Sequence, residues 1–317
     1  MSTDQPSQTR TIAGAWRRFG AFFLDCIVLG TLGLVVGFVF NDQLVDMGPW
    51  GRLVGFLMAL AYFGTLNSKL AGGQTPGKRL LGIRVVAKDG GPLSVSRSFL
   101  RYLPLGAPWF LNDAQLGGFE LFSFSQYFFS LAIFGIGFSV VYLFLFNRRT
   151  RQSVHDLLVG SYVVSADASG PVAAAGTWQG HLAVCAMLVL ASAVLPYFAK
   201  GLAAGEPFAA LLNVYRAVNA EPWVISSRVA KGQKFTSKSE TDQSSSNYFA
   251  ITAYSKDRDI ENVERARTLA KLALSIDRSA ADVDVIVVTL VYGYDIGIAS
   301  SWRSYRHAFP PSEWLAQ

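Results

Sequence analysis

The chain has 317 residues, a formal net charge of +6, 51% hydrophobic and 16% charged residues, and a mean hydropathy of +0.31. A soluble domain carries about 25% charged residues, so this composition excludes an ordinary water-soluble fold for much of the chain and points to a membrane protein. The positive balance is not a nucleic-acid footprint, because 14 of the 28 Lys and Arg precede residue 200, clustered between apolar runs, and the rest face 13 acidic residues in a nearly neutral C-terminal part.

Residues 1–18 read as a polar cytoplasmic tail, too long and too poorly closed by small residues to be the start of a signal peptide. Residues 19–40 then form an apolar run long enough, at roughly 1.5 Å per residue, to cross a hydrocarbon core of roughly 30 Å. Its one charge is Asp25. An ionised side chain at that depth costs on the order of 3 kcal/mol or more, which makes Asp25 a functional candidate with a partner to be found. Residues 41–50 read as an outside loop, and residues 47–66 as a second span with Trp50 and Arg52 at its outer end.

From Lys69 to Arg101 seven basic residues stand against the single acid Asp89, as expected of a cytoplasmic loop, and Arg148, Arg149 and Arg151 form a second such cluster. Two clusters on one side require an even number of crossings between them. The expected hairpin has a weak first arm at residues 98–118, carrying Arg101, Pro104, Pro108 and Asp113, and a convincing second arm at residues 124–146. The aromatic stretch 119–129 reads as lipid-facing or interhelical packing. Residues 182–199 make a last span, so five spans are expected, or four if the weak arm does not cross. Cys26 and Cys185 both fall in spans, and no disulfide framework or CxxC metal site is indicated.

Beyond residue 200 the pattern changes to that of a small α+β domain. A short helix is expected at 208–218, polar turns or an edge hairpin at 232–247, a strand at 248–255, an amphipathic helix at 259–276 and a β-branched core strand at 283–292. The domain organisation is therefore a tail at 1–18, a transmembrane domain at 19–166, a linker and last span at 167–200, and an extracytoplasmic domain at 201–317. The whole reads as an α-helical transmembrane bundle plus a soluble α+β domain.

The loop after the second span carries Gly73, Gln74, Thr75, Pro76, Gly77 and Lys78. With Gly72 it fits the start of a nucleotide-binding P-loop, but Arg79 stands where Mg²⁺ needs Ser or Thr, and Pro76 removes a backbone donor. The loop reads instead as a Gly/Pro turn followed by a hairpin of residues 81–86 and 93–95 lying on the headgroups. Arg18 and Asp25, two helical turns apart, share a face yet cannot pair directly. Their partners are sought among Arg84, Arg101, His155 and Asp156. His155 beside Asp156 reads either as a proton relay or as a cap. The strand exit at Tyr292, Gly293, Tyr294 and Asp295 reads as a glycine-dependent turn. No catalytic set, cofactor site or metal site stands out, and His307 is the only C-terminal histidine, so the chain is not expected to be an enzyme.

Four blocks, AGAWRRFGAFFLD, GQTPGKRLLGIRVVAKDGGPLS, RSFLRYL and TRQSVHDLLVGSYVV, in this order, resemble the signatures of the RDD family of bacterial membrane proteins over about residues 10–166. The resemblance maps the namesake arginine and two aspartates to Arg18, Asp25 and Asp156. It implies a bacterial cytoplasmic membrane and, through members linked to sodium/proton exchange, transport. Two readings stand: a transporter or exchanger of a small cation or solute, with Na⁺ or H⁺ as candidate partners, or a non-transporting anchor that presents residues 201–317 to a protein partner.

Overall fold

A computed structural model of the chain describes residues 11–112, 123–167, 169–172, 176–239 and 242–316. Among them four helices are long and apolar enough to cross a membrane: Ala15–Val39, Asn41–Leu66, Phe124–Phe146 and Gln179–Ala204. The first is α1 (Ala15–Val39); the second is built of α2 (Asn41–Met47) and α3 (Gly51–Leu66) around Gly48 at φ +53°. Residues 41–50, expected as a loop, are therefore mostly helical, and they extend the apolar helix upstream. The third joins α6 (Phe124–Ser130) and α7 (Gly137–Phe146) through a π turn at Leu131–Ile136, and the last is α9 (Gln179–Ala204). Their large side chains, such as Phe38, Leu190 and Phe198, point outward. That is the expected inversion for helices solvated by lipid rather than water.

The weak arm of the expected hairpin begins as α5 (Val95–Leu111), a helix of 17 residues or about 25 Å that keeps Pro104 and Pro108 inside it. It is shorter than the four apolar helices and carries a buried Arg101. It nonetheless runs the length of α3: Ser98 Oγ donates to the Phe63 carbonyl at 3.4 Å near one end, and Phe110 meets Phe56 at 5.6 Å between ring centroids near the other. The remainder of that arm, residues 113–118, and residues 119–122 of the aromatic stretch lie outside the described residues.

The chain divides into two compact units, one made of residues up to Phe38, Pro49–Tyr197 and Ile296–Ala299, the other of Val39–Gly48, Phe198–Asp295 and Ser300–Gln317. In the first, α4 (Pro76–Leu80) leads into β1 (Ile83–Ala87), and α8 (Val154–Val159) into β2 (Ser161–Ser165). The expected hairpin of 81–86 with 93–95 does not form. β1 pairs antiparallel with β2, Val85 opposite Val163, while Leu93 bridges to Ser68. The partner from 80 residues downstream wins because it covers both Ile83 and Val85, which are fully buried with Val163 and Leu93 in one small core.

The second unit is a four-stranded sheet in the order β3 (Val224–Ser239), β4 (Asp242–Ser255), β5 (Val285–Asp295), β6 (Ser300–Phe309). The β3–β4 hairpin and the β5–β6 pair are antiparallel, whereas β4 and β5 run parallel. A parallel pair needs a crossover, supplied by α11 (Val263–Ile276), whose N-cap Asn262 accepts from the Arg265 amide at 3.1 Å. α11, α10 (Phe208–Asn219) and α12 (Pro311–Leu315) cover one face of the sheet. There Phe249, Ile251, Ile286, Val288 and Leu290 interdigitate with Leu269, Ala273, Val218 and Trp314.

The strands at 248–255 and 283–292, the two helices and the hairpin follow their sequence patterns, but β6 and α12 were not anticipated. β5 also continues to Asp295, so Gly293 lies inside the strand rather than at a turn. At φ +150° a Cβ there would strike the Ser301 carbonyl and Trp302. Because Phe249 is fully buried at the centre of the sheet, Phe249→Ala should cost about 3–5 kcal/mol. A urea melt of the isolated fragment 205–317 should show a cooperative transition that the substitution moves by that amount; a fragment without a transition would show that the core needs the rest of the chain.

Candidate functional site: two buried carboxylates

Asp156 is buried to 0% exposure at the third position of α8, whose N-cap Ser153 forms a reciprocal capping box with it. The Ser153 amide donates to Asp156 Oδ2 at 3.4 Å. Two guanidiniums converge on the same carboxylate. Arg18 Nη2 donates to Oδ2 at 2.6 Å, and Arg101 donates to Oδ1 through Nη2 at 2.7 Å and Nε at 3.0 Å. Ser161 Oγ adds a bond to Oδ1 at 2.9 Å. Arg18 also donates to the Arg151 carbonyl, and Arg97 to that of Val159. One carboxylate thus ties the start of α1, the middle of α5, α8 and the first residue of β2.

Burial alone would raise the Asp156 pKa, but the flanking cations, Arg101 foremost, reverse this and hold the carboxyl below its ordinary range. His155 stands with Nε2 3.4 Å from Asp156 Oδ2 and is itself buried. Burial, aided by Arg101 and Arg18 against the pull of Asp156, pushes its pKa down to about 3, so it is neutral at physiological pH. Its Nδ1 has no hydrogen-bond partner among the described residues. The capping role belongs to Ser153 and Asp156 rather than to His155.

Asp25, also at 0% exposure, meets a different set of groups. Tyr62 Oη donates to Oδ1 at 2.9 Å, the Gly77 amide to Oδ1 at 2.9 Å and Thr75 Oγ1 to Oδ2 at 2.5 Å, while Lys78 Nζ stands 4.0 Å from Oδ2. Its partner is therefore the GQTPGK loop, which the sequence reading laid on the headgroups. The described contacts include none from Arg101 or His155, and Arg84 lies on β1 opposite Val164.

Each loop residue has a reason to be what it is. Gly73, at φ +74°, passes so close to β1 that a Cβ would meet the Val85 carbonyl. Gln74 Nε2 donates to the Ile83 carbonyl at 3.0 Å. Thr75 caps α4, Pro76 occupies its first turn without wasting a donor, and Gly77 lets that turn touch α1, where a Cβ would collide with the Ala21 carbonyl. Lys78 sits over the Phe63 ring, 5.8 Å from its centroid, and is 9% exposed. Burial, then the nearby Arg101, pushes its pKa down to about 7 against the pull of Asp25.

Arg18 and Asp25 do not pair with each other, as the spacing required, and each finds its partners in other segments. Sequence reasoning missed Tyr62, Lys78 as a neighbour of Asp25, and the buried turn in which Asn147 donates to Thr150 Oγ1 at 2.8 Å and Gln152 to the Ser161 carbonyl at 2.9 Å. The S-x-x-D spacing of Ser153 and Asp156 inside TRQSVHD signals the start of α8 just after that turn, but not the turn itself. Among the described residues no group of three or more His, Cys, Asp or Glu is placed to hold a metal ion.

Two outcomes follow from this geometry. Gly77→Ala must move α4 off α1, and should lower stability by about 1–3 kcal/mol, read as a reduced melting temperature of the detergent-solubilised protein. Lys78 has its folded pKa lowered from 10.5 to about 7, so the unfolded chain binds one more proton between those values and stability rises with pH across that window. Lys78→Met should flatten the rise between about pH 7 and pH 10; parallel melting profiles for the two proteins would contradict it.

Comparison with known proteins agrees with this architecture. Residues 12–160 match the model of the RDD family. The chain is 27% identical over 154 residues, 49% of its length and 85% of the relative's, to Uncharacterized protein YckC of Bacillus subtilis (strain 168). It is 29% identical over 112 residues to Uncharacterized protein YxaI of the same organism, covering 28% of this chain and 73% of that one. No solved structure matches.

Proposed function

We infer that this membrane protein, whose residues 12–160 belong to the RDD family, is a non-transporting anchor that presents its C-terminal domain to a partner, and that its buried charges hold the anchor together. The observation that carries this reading is saturation. Asp25 accepts from Tyr62, Thr75 and the Gly77 amide, and Asp156 from Arg18, Arg101 and Ser161, so neither carboxylate has an oxygen turned to an open cation site. Paired charges inside a membrane protein are an effective glue, since leaving either partner alone costs far more than the pair itself.

The positive-inside rule supports a cytoplasmic position for the end of the bundle that carries the basic clusters, and, with α5 as a fifth crossing, an extracytoplasmic C-terminal domain at a bacterial inner membrane. A second reading, proton-coupled exchange of a small cation, is favoured by Lys78, whose proton is held loosely 4.0 Å from Asp25.

Vesicles holding the purified protein, loaded with a pH-sensitive dye and given Na⁺, K⁺ or Li⁺ gradients, separate the two. The anchor gives no cation-dependent proton flux. In the same membranes Asp156→Asn strands Arg18 and Arg101 at a cost of about 3–5 kcal/mol, and protein abundance falls. Flux in the wild type that Asp25→Asn abolishes at normal abundance would establish exchange instead.

A further inference from the structure

The helices α10, α11 and α12 lie on one face of the sheet of the second unit, the face of Phe249, Ile251, Ile286, Val288 and Leu290. Side chains alternate along a strand, so Tyr248, Ala250 and Tyr254 of β4 and Val285, Val287 and Val291 of β5 point to the other face. Opposite residues of an antiparallel pair share a face, which adds Lys234 of β3 through Ser246, and Arg306 of β6 through Thr289. Among the described residues α10, α11 and α12 leave that side open.

The uncovered face is neither uniformly polar nor featureless. Gly293 leaves room for Trp302 to cross β5 and meet Tyr254 at 5.3 Å between ring centroids, which makes a ridge at one end. Toward the other end lies a shallow cavity of about 390 Å³ lined by Lys234, Tyr248, Val285, Val287 and Arg306 together with small and polar neighbours. Its floor is aromatic and aliphatic. Its two charged walls are cations from opposite edge strands, and among the described residues that line it none is acidic. Among the described residues neither cation is given an ion pair. The edge strands are three strand intervals, roughly 14 Å, apart across the sheet, so an occupant that meets both must be extended and must carry more than one negative group.

We propose that this face receives an extended acidic segment of a partner protein, its carboxylates meeting Lys234 and Arg306 and its apolar residues lying on Tyr248 and Val285. The alternation suits the site. In an extended chain every second side chain faces the same way, so acidic and apolar residues on one side reach walls and floor together. Charge complementarity selects the acid, and the aromatic floor disfavours a small inorganic anion as the sole occupant. The inference rests on the anchor reading, because it names the chemistry of what the anchor presents its domain to.

The test uses the full chain in nanodiscs of neutral lipid and a fluorescein-labelled eight-residue peptide in which glutamate and valine alternate at every second position with serine between them, so that both face one side of an extended chain; a peptide with lysine in place of glutamate is its counterpart. Fluorescence anisotropy should show the glutamate peptide binding, with affinity falling about tenfold or more in the double variant Lys234→Glu, Arg306→Glu and unchanged in Arg278→Glu. The double variant should gain the lysine peptide, which shows that it remains folded. Absence of glutamate-peptide binding, or binding indifferent to the reversal, overturns the proposal. Adhesion to phosphatidylglycerol vesicles that the reversal abolishes, without peptide binding, would replace the protein partner by a membrane surface. Cation flux is measured separately, so peptide binding alongside flux would fail the anchor reading and leave the docking face standing.

Discussion

Burying the Asp156 carboxylate is the constraint on which the first unit depends. A bare carboxylate in that position would cost several kcal/mol, and it is retained because Arg18, Arg101, Ser161 and the Ser153 amide supply donors to both of its oxygens. Those donors come from segments far apart in sequence, so satisfying one group fixes the mutual positions of α1, α5, α8 and β2. The short β1–β2 ladder then follows, because β2 starts at Ser161, directly after the Gly160 that ends α8 in the left-handed region. A local hairpin would have cost less chain entropy, yet it would have left Ile83 and Val85 without a cover.

Asp25 does the same work two turns further along α1, with neutral donors in place of guanidiniums. Tyr62, Thr75 and the Gly77 amide draw α3 and the loop before β1 onto α1, and the glycine is there because only a bare Cα fits against the Ala21 carbonyl. The two carboxylates face two arginines and Lys78. Full ionisation would leave a net positive charge in a poorly solvated place, which is the physical reason that the Lys78 ammonium is weakened by burial and by Arg101. The balance of the cluster is reached by loosening one proton rather than by adding a third acid.

Much of this was legible in the sequence where a signal is local. The apolar runs gave the spans, the buried position of Asp25 marked it as needing a partner, and helical and strand periodicities located α10, α11 and the centre of β5. What escaped was set by non-local pairing. Nothing near residue 83 announces that its strand partner lies at 165, and nothing in GQTPGK states that its Thr and Gly will close on a carboxylate 50 residues earlier. β6 was missed because it is an edge strand exposed on nearly every side chain, SSWRSYRHAF, so burial imposes no alternation on its sequence. The helix at residues 41–47 was missed because Asn41, Asp42 and Asp46 read as loop chemistry, although acids are favourable in a first helical turn.

The contrast between the two units bears on what each is for. In the first, charged side chains are turned inward and matched donor to acceptor, an arrangement whose stability depends on its not changing. A carrier must exchange partners at its buried acids during every cycle, and such exchange would break a capping box, a bidentate arginine contact and a helix-to-loop clamp together. Lys78, whose proton is cheap, could change charge while touching only its own long contacts, with Asp25 and with Thr75 Oγ1. In the second unit the cations Lys234 and Arg306 are turned outward across an apolar floor. Charges that are spent on internal pairing fix a shape, while charges held at a surface are available to a partner; on that physical ground the proposed recognition chemistry lies on the sheet and the structural chemistry in the bundle.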